Sequence, residues 1–176
     1  MNLRDRVEAI EADITTLPVD VIVNATNAEL AHGGGVDGAI RKRAGKELDE
    51  ELSRLGRCEP GTAVLTDGFL LPAKFVIHTV APIWAAQTEK AAQEALLAKC
   101  YESVLRLADD NNVRTIVFPS IGTGAYRWPA EGAARIAFAS VINHLRRSDI
   151  QTLVTFCCFS RVDRERYGAL IASLRE

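Results

Sequence analysis

Short apolar runs alternate along the chain with long amphipathic ones. "RVEAIEADI" (6–14) alternates apolar and polar positions and predicts a first strand. "VDVIVNAT" (19–26) is nearly continuous in apolar residues, the pattern of a strand covered on both faces. From Val36, the positions Val36, Ile40, Ala44, Leu48, Leu52 and Leu55 fall near a helical period, and Gly56 can end that helix. "TAVLTDGF" (62–69) and "FVIHTVAP" (75–82) read as two strands joined directly through "LLPAK". A helix over 89–110, a strand over 114–121, a helix over 129–147, a strand over 152–159 and a helix over 163–176 complete the pattern. Pro129 is expected at the first position of its helix. Strands alternating with helices, apart from one strand–strand step near residue 70, predict a single α/β domain over residues 1–176. The expected architecture is a three-layer α/β/α sandwich around a central mixed sheet.

Composition narrows what such a domain can do. The 176 residues are 48% hydrophobic and 25% charged, with net charge −2. No overall positive field draws the chain to nucleic acid or to an anionic membrane, so an anionic ligand must be held by local geometry. Cys58, Cys100, Cys157 and Cys158 have no metal-finger spacing, and His32, His78 and His144 lie far apart, so no metal site is expected. Cys157 and Cys158 are adjacent on a strand and should face opposite ways. All four read as reduced thiols of a cytoplasmic protein. The N-terminal stretch carries no apolar core of a secretion signal, and no apolar run approaches the ~20 residues that span a bilayer.

Ligands of open α/β sheets sit beyond the carboxyl ends of strands. Two strand ends here carry glycine loops, "NATNAELAHGGGVDG" and "GTGAYRWPAEG", each leading to a helix. Helix N-termini present free N–H groups and a partial positive charge, and glycine lets an anion approach them. Each loop alone reads as an ordinary turn; two at strand ends can clasp a diphosphate from both sides. Asp37 at the helix start is either a group that satisfies free amides or a base aimed at a sugar or water. Arg41, four residues on, can pair with it. Asn24 reads as a turn former, whereas Asn27 leads into the glycine loop and can bind hydroxyls as donor and acceptor.

"ADITTLPVDVIVNATNAELAHGGGVDGAIRKRAG", "LPAKFVIHTVAP" and "FPSIGTGAY" together resemble the macrodomain family, in its MacroD-type branch, from about Ile10 to Phe159. The resemblance implies an α/β/α sandwich that binds ADP-ribose. It places Asp13 on the adenine amino group, Ile14 as a neighbouring backbone contact and Phe159 against the adenine ring. It places Asn27 and Asp37 beside the distal ribose as the catalytic pair. Gly34, Gly35 and Val36 form the first loop on ribose and phosphate; Gly122, Thr123, Gly124, Ala125 and Tyr126 form the second. Relatives of this type remove mono-ADP-ribose from acidic side chains and deacetylate O-acetyl-ADP-ribose, without a cofactor. The implied partners are ADP-ribose and mono-ADP-ribosylated proteins, with the chain as a monomer. Four positions depart from the family pattern: Ala12 and Arg127 stand where Gly is usual, Gly122 where Ser is usual, and Arg41 where the branch often has His. The competing readings are a non-catalytic ADP-ribose reader, which often lacks the acid at Asp37, and a single-strand nucleic-acid binder. The negative charge and the 6% aromatic content weigh against the last.

Overall fold

Period-two burial along the strands builds two separate cores. The computed structural model describes residues 2–85 and 89–174. Its strands are β1 (Val7–Glu11), β2 (Val21–Ala25), β3 (Ala63–Asp67), β4 (Phe75–Thr79), β5 (Thr115–Phe118) and β6 (Leu153–Cys158). Its helices are α1 (Gly35–Ala44), α2 (Lys46–Leu55), α3 (Lys90–Asp110), α4 (Ala130–Leu145) and α5 (Arg161–Ala172). Val21 and Val23, Ile77, Ile116, Phe118, Val154 and Phe156 pack with α3, α4 and α5 through Leu97, Tyr101, Ala137, Val141 and Tyr167. Their strand neighbours Ile22, Val76, Val117 and Cys157 face the other way, onto Ile40, Ala44, Leu48 and Leu52 of α1 and α2. This is the expected three-layer sandwich.

The sheet order is β1-β6-β5-β2-β4-β3. Pairings between neighbours are parallel except β3 with β4, which is antiparallel, so the sheet is mixed. The direct strand–strand step in the sequence is this hairpin. Cys157 and Cys158 face opposite cores, as adjacent strand residues must. All four cysteines are unpaired and buried, and burial pushes the thiols of Cys157 and Cys158 up to about 11 and about 12.

Local structure departs from the pattern in four places. The helix expected from Val36 to Leu55 is two helices. Gly45 breaks it at φ +91, where a Cβ would meet Glu47 and Leu70 at 3.0 Å each. Pro129 is the residue before α4 rather than its first position, with ψ 122. The first strand stops at Glu11, and Asp13 caps a 3-10 turn over Ile14–Thr16. The closing helix ends at Ala172; its expected last two residues lie outside the described residues. No described helix is long and apolar enough to cross a membrane.

Candidate functional site

The chain leaves β2 and β5 in opposite directions along the sheet. After β2 it continues to β3 and β4 on one side; after β5 it runs through α4 to β6 on the other. Neighbouring strands with diverging connections leave a crevice at their carboxyl ends. β2 and β5 share only the register pairs Val21↔Ile116 and Ile22↔Val117, and beyond these a cleft of about 360 Å³ opens.

One wall of the cleft is Asn27, Gly33, Gly34, Gly35, Val36 and Asp37, and the facing wall is Ser120, Gly122, Gly124, Ala125 and Tyr126. The first wall runs straight into α1, whose first amides have no partners within the helix. Gly35 sits at φ +55, and a Cβ there would project into open space rather than protein. A Cβ on Gly38 would lie 2.9 Å from the Gly33 carbonyl, so the loop folds back directly onto its helix. On the second wall Gly122 has φ +84, and a Cβ would strike Trp128 at 2.7 Å. Trp128 is buried beneath this loop and donates from Nε1 to the Pro82 carbonyl at 2.7 Å.

The second loop does not open directly onto a helix, contrary to the sequence expectation. Arg127, at φ +59, and buried Trp128 turn the chain away before α4 begins. The start of α4, with Pro129, Glu131 and Gly132, lines a different hollow of about 460 Å³ shared with Trp84, Lys90 and Arg135. The helix-terminus contribution to an anion site therefore comes from α1. The left-handed φ at Arg127 also gives the physical reason why glycine suits that position.

Asp37 is the centre of a buried polar chain. Its side chain is only 4% exposed and accepts three bonds: from Asn24 Nδ2 to Oδ1 at 2.7 Å, and from the Gly33 N–H and Arg41 Nε to Oδ2 at 2.8 Å each. Arg41 Nη1 reaches Asp49 at 2.6 Å, and Nη2 donates to the carbonyls of Leu30 at 2.9 Å and Ala31 at 3.2 Å. One guanidinium thus pins the catalytic-candidate acid, the first loop and α2 together. In the other direction Asn24 Nδ2 lies 3.1 Å from His78 Nδ1, and His78 Nε2 lies 3.0 Å from Thr66 Oγ1. Burial pushes His78 down to about 3, so the ring is neutral at physiological pH. Across the cleft, burial raises the Tyr126 phenol, with Glu29 and Asp37 adding to the effect.

The structure corrects the turn-former reading of Asn24 and sets Asn27 at the cleft. Asn24 is fully buried, touches Asp37 and is not a turn former. Asn27 lines the cleft, but its amide is engaged with the backbone of Ala31, donating to its carbonyl and accepting from its N–H, both at 3.0 Å. A carboxylate or amide at a strand end cannot be told apart from a loop former until the facing helix is known.

The remaining expected residues divide in two groups. Thr123 does not line the cleft; its hydroxyl donates to the Ser120 carbonyl at 2.8 Å. Asp13, Ile14 and Phe159 lie outside it, at the ends of the paired strands β1 and β6. Asp13 is exposed and accepts from the Thr15 hydroxyl at 2.7 Å and the Thr15 N–H at 2.9 Å, bonds that lower its pKa. Ile14 is buried against α1 and α2, leaving its backbone as the group available there. Phe159 is 99% exposed. The pattern reading missed Asn24, His78 and Thr66 as a set. Their signal was a polar residue interrupting each of three apolar strands.

The Macro domain family profile matches residues 23–137, which includes both cleft walls. The chain belongs to the Macro domain family. Among relatives of this macrodomain, the O-acetyl-ADP-ribose deacetylase of Klebsiella pneumoniae is 47% identical over 94% of the chain and 96% of that protein. The ADP-ribose glycohydrolase MACROD2 of Xenopus laevis is 46% identical over 94% of the chain and 40% of that longer protein. A solved Oceanobacillus iheyensis macrodomain mutant with ADPR is 38% identical, with TM-score 0.91 over 98% of this chain and 95% of that one.

Proposed function

We propose that this macrodomain binds ADP-ribose and hydrolyses mono-ADP-ribose from acidic side chains of proteins, and that it also deacetylates O-acetyl-ADP-ribose. The observation that carries the reading is a cleft with a glycine wall on each side and a buried carboxylate, Asp37, set into one of them. The amides at the start of α1 suit the diphosphate. Tyr126 and Asp37 flank the space for the distal ribose, and Asp13 and Phe159 lie where the adenine would extend. In hydrolysis, water adds to C1″ of the distal ribose as the bond from C1″ to the carboxylate oxygen breaks. The bonding pair leaves with the side-chain carboxylate, and the water proton is lost to solvent. Asp37 stabilises the positive charge that develops at C1″ and orients the water.

A carboxylate offers about four lone-pair sites, and Asn24, Gly33 and Arg41 occupy three at Asp37. One remains for water or a ribose hydroxyl. This crowding favours a second reading, an ADP-ribose reader without turnover. Incubation with a protein mono-ADP-ribosylated on Glu or Asp decides between them. Release of free ADP-ribose supports the hydrolase; binding without release leaves the reader; neither binding nor release removes both.

A further inference from the structure

We propose that His78 and Thr66 are positioning residues for Asp37, acting through the amide of Asn24. The proposal rests on the hydrolase reading for its kinetic consequence but not for its geometry. Asn24 and His78 are register partners on the parallel strands β2 and β4, and Thr66 lies on β3 beside β4. All three point to the α1–α2 side of the sheet, by the same parity as Ile22, Val76 and Val64. A polar row therefore crosses three strands beneath α1, remote from the cleft except where Asn24 meets Asp37.

The proton positions along this row follow from donor chemistry. Asn24 Nδ2 has two hydrogens and no lone pair to offer; one goes to Asp37 Oδ1, the other to His78 Nδ1. Neutral His78 must then carry its proton on Nε2 and donate it to Thr66 Oγ1. Thr66 passes its own proton to the Asp67 carbonyl at 3.1 Å. The bonds run outward from the Asn24 amide, to Asp37 on one side and through His78 to Thr66 on the other, and the Thr66 hydroxyl holds the ring proton on Nε2 by accepting it. If the ring proton moved to Nδ1, the Asn24 amide would have to flip, turning its carbonyl oxygen onto the Asp37 carboxylate 2.7 Å away.

The row also contains a sacrifice. The Asn24 Oδ1 atom is buried with no hydrogen-bond partner among the described residues. Burying a polar atom unbonded is costly, and an arrangement selected for stability alone would satisfy it. Here the amide gives up its acceptor to aim both donors, one at His78 and one at the acid.

The test uses the full chain with Thr66→Val, which removes the hydroxyl at nearly constant volume, and Thr66→Ser, which keeps it. Three quantities are read: ring ¹⁵N shifts of His78, single-turnover release of ADP-ribose from a glutamate-modified protein, and ADP-ribose affinity. In the wild type and in Thr66→Ser the proton is expected on Nε2. In Thr66→Val it is expected to move to Nδ1, with release slowed about tenfold or more and affinity within about twofold, because misorienting a catalytic group costs rate before binding. Thr66→Ser should restore the rate. A second pair keeps the test sharp should Thr66→Val fold poorly: His78→Asn keeps an acceptor for Asn24 and retains the rate, whereas His78→Leu loses it. A wild-type ring protonated on Nδ1, a Thr66→Val rate within about twofold of wild type, or equal rates for the two His78 variants would overturn the proposal. A wild type that releases nothing would sink the hydrolase reading, while the ring shifts would still judge where the ring proton sits.

Discussion

Removing the Asp37 carboxylate should cost stability as well as turnover, and the cost should depend on Arg41. The two side chains are 4% and 2% exposed and meet at 2.8 Å. Breaking a buried pair by deleting one member costs about 3–5 kcal/mol, because the survivor is left charged without its partner. Asp37→Ala strands the Arg41 Nε, the Asn24 amide and the Gly33 N–H together. Arg41 keeps Asp49 and two carbonyls, which places the expected loss near the lower end, about 3 kcal/mol. Arg41→Ala should cost a similar amount, because Asp37 keeps only Asn24 and Gly33. The double variant should be little worse than either single one, giving a coupling energy of roughly 2–3 kcal/mol. Urea unfolding followed by the fluorescence of Trp84 and Trp128 measures all four corners of the cycle. Additivity within about 0.5 kcal/mol would refute the buried-pair argument. In the same set, single-turnover release by Asp37→Ala should fall by about 10²–10⁴-fold. Affinity for ADP-ribose should fall as well, because Asp37 anchors the Gly33 end of the first loop.

Other consequences are open to measurement. Gly35→Val places a β-branched residue at φ +55 with its side chain directed into open space. Calorimetry should find ADP-ribose binding lost while the chain stays folded with a loss of about 1–2 kcal/mol; retained affinity would make that loop an ordinary turn. Asp13→Asn keeps an oxygen for the Thr15 cap but presents an amide to an adenine amino group, so affinity should drop about tenfold or more, the worth of a hydrogen bond to a charged group; unchanged affinity would move the adenine elsewhere. His78 gives acid sensitivity with a defined window. Unfolded, it takes up a proton near the usual 6.5; folded, it resists until about 3. Its contribution is complete above 6.5 and drains away as pH falls toward 3, by about 1.4 kcal/mol per pH unit. Urea midpoints at several pH values should fall along that slope and flatten in His78→Asn; equal slopes would show that another group sets the acid limb.

The periodicity of apolar residues made the layers legible. Val21, Ile22 and Val23 alternate between two cores because a strand covered on both faces needs apolar residues on both. The hairpin of β3 and β4 was visible because too few residues separate them for a crossover helix. The break at Gly45 was not, because Ala44 and Leu48 keep the same face across it; only the approach of Leu70, from a distant hairpin, shows why the helix must stop. The glycine loops announced the cleft, and Asp37 announced itself by standing at the start of α1. The role of Asn24 was hidden for a specific reason. A polar residue ending an apolar strand has the same local pattern whether it faces solvent in a turn or a carboxylate thirteen positions later. His78 and Thr66 were hidden in the same way, since their partners lie across strands and not along them.

The short seam between β2 and β5 has a mechanical consequence. Two register pairs hold these strands, against five between β2 and β4. The sheet is thus weakest in the ladder just where its two glycine loops face each other. A diphosphate lying between those loops would act as a removable crossbar, joining two chain segments that the backbone itself ties only loosely. Ligand binding and the stability of this seam should therefore rise together. By mass action a ligand at a hundred times its dissociation constant adds about 2.7 kcal/mol to such a fold. Amide exchange in Ile22 and Val117 should slow when the cleft is filled.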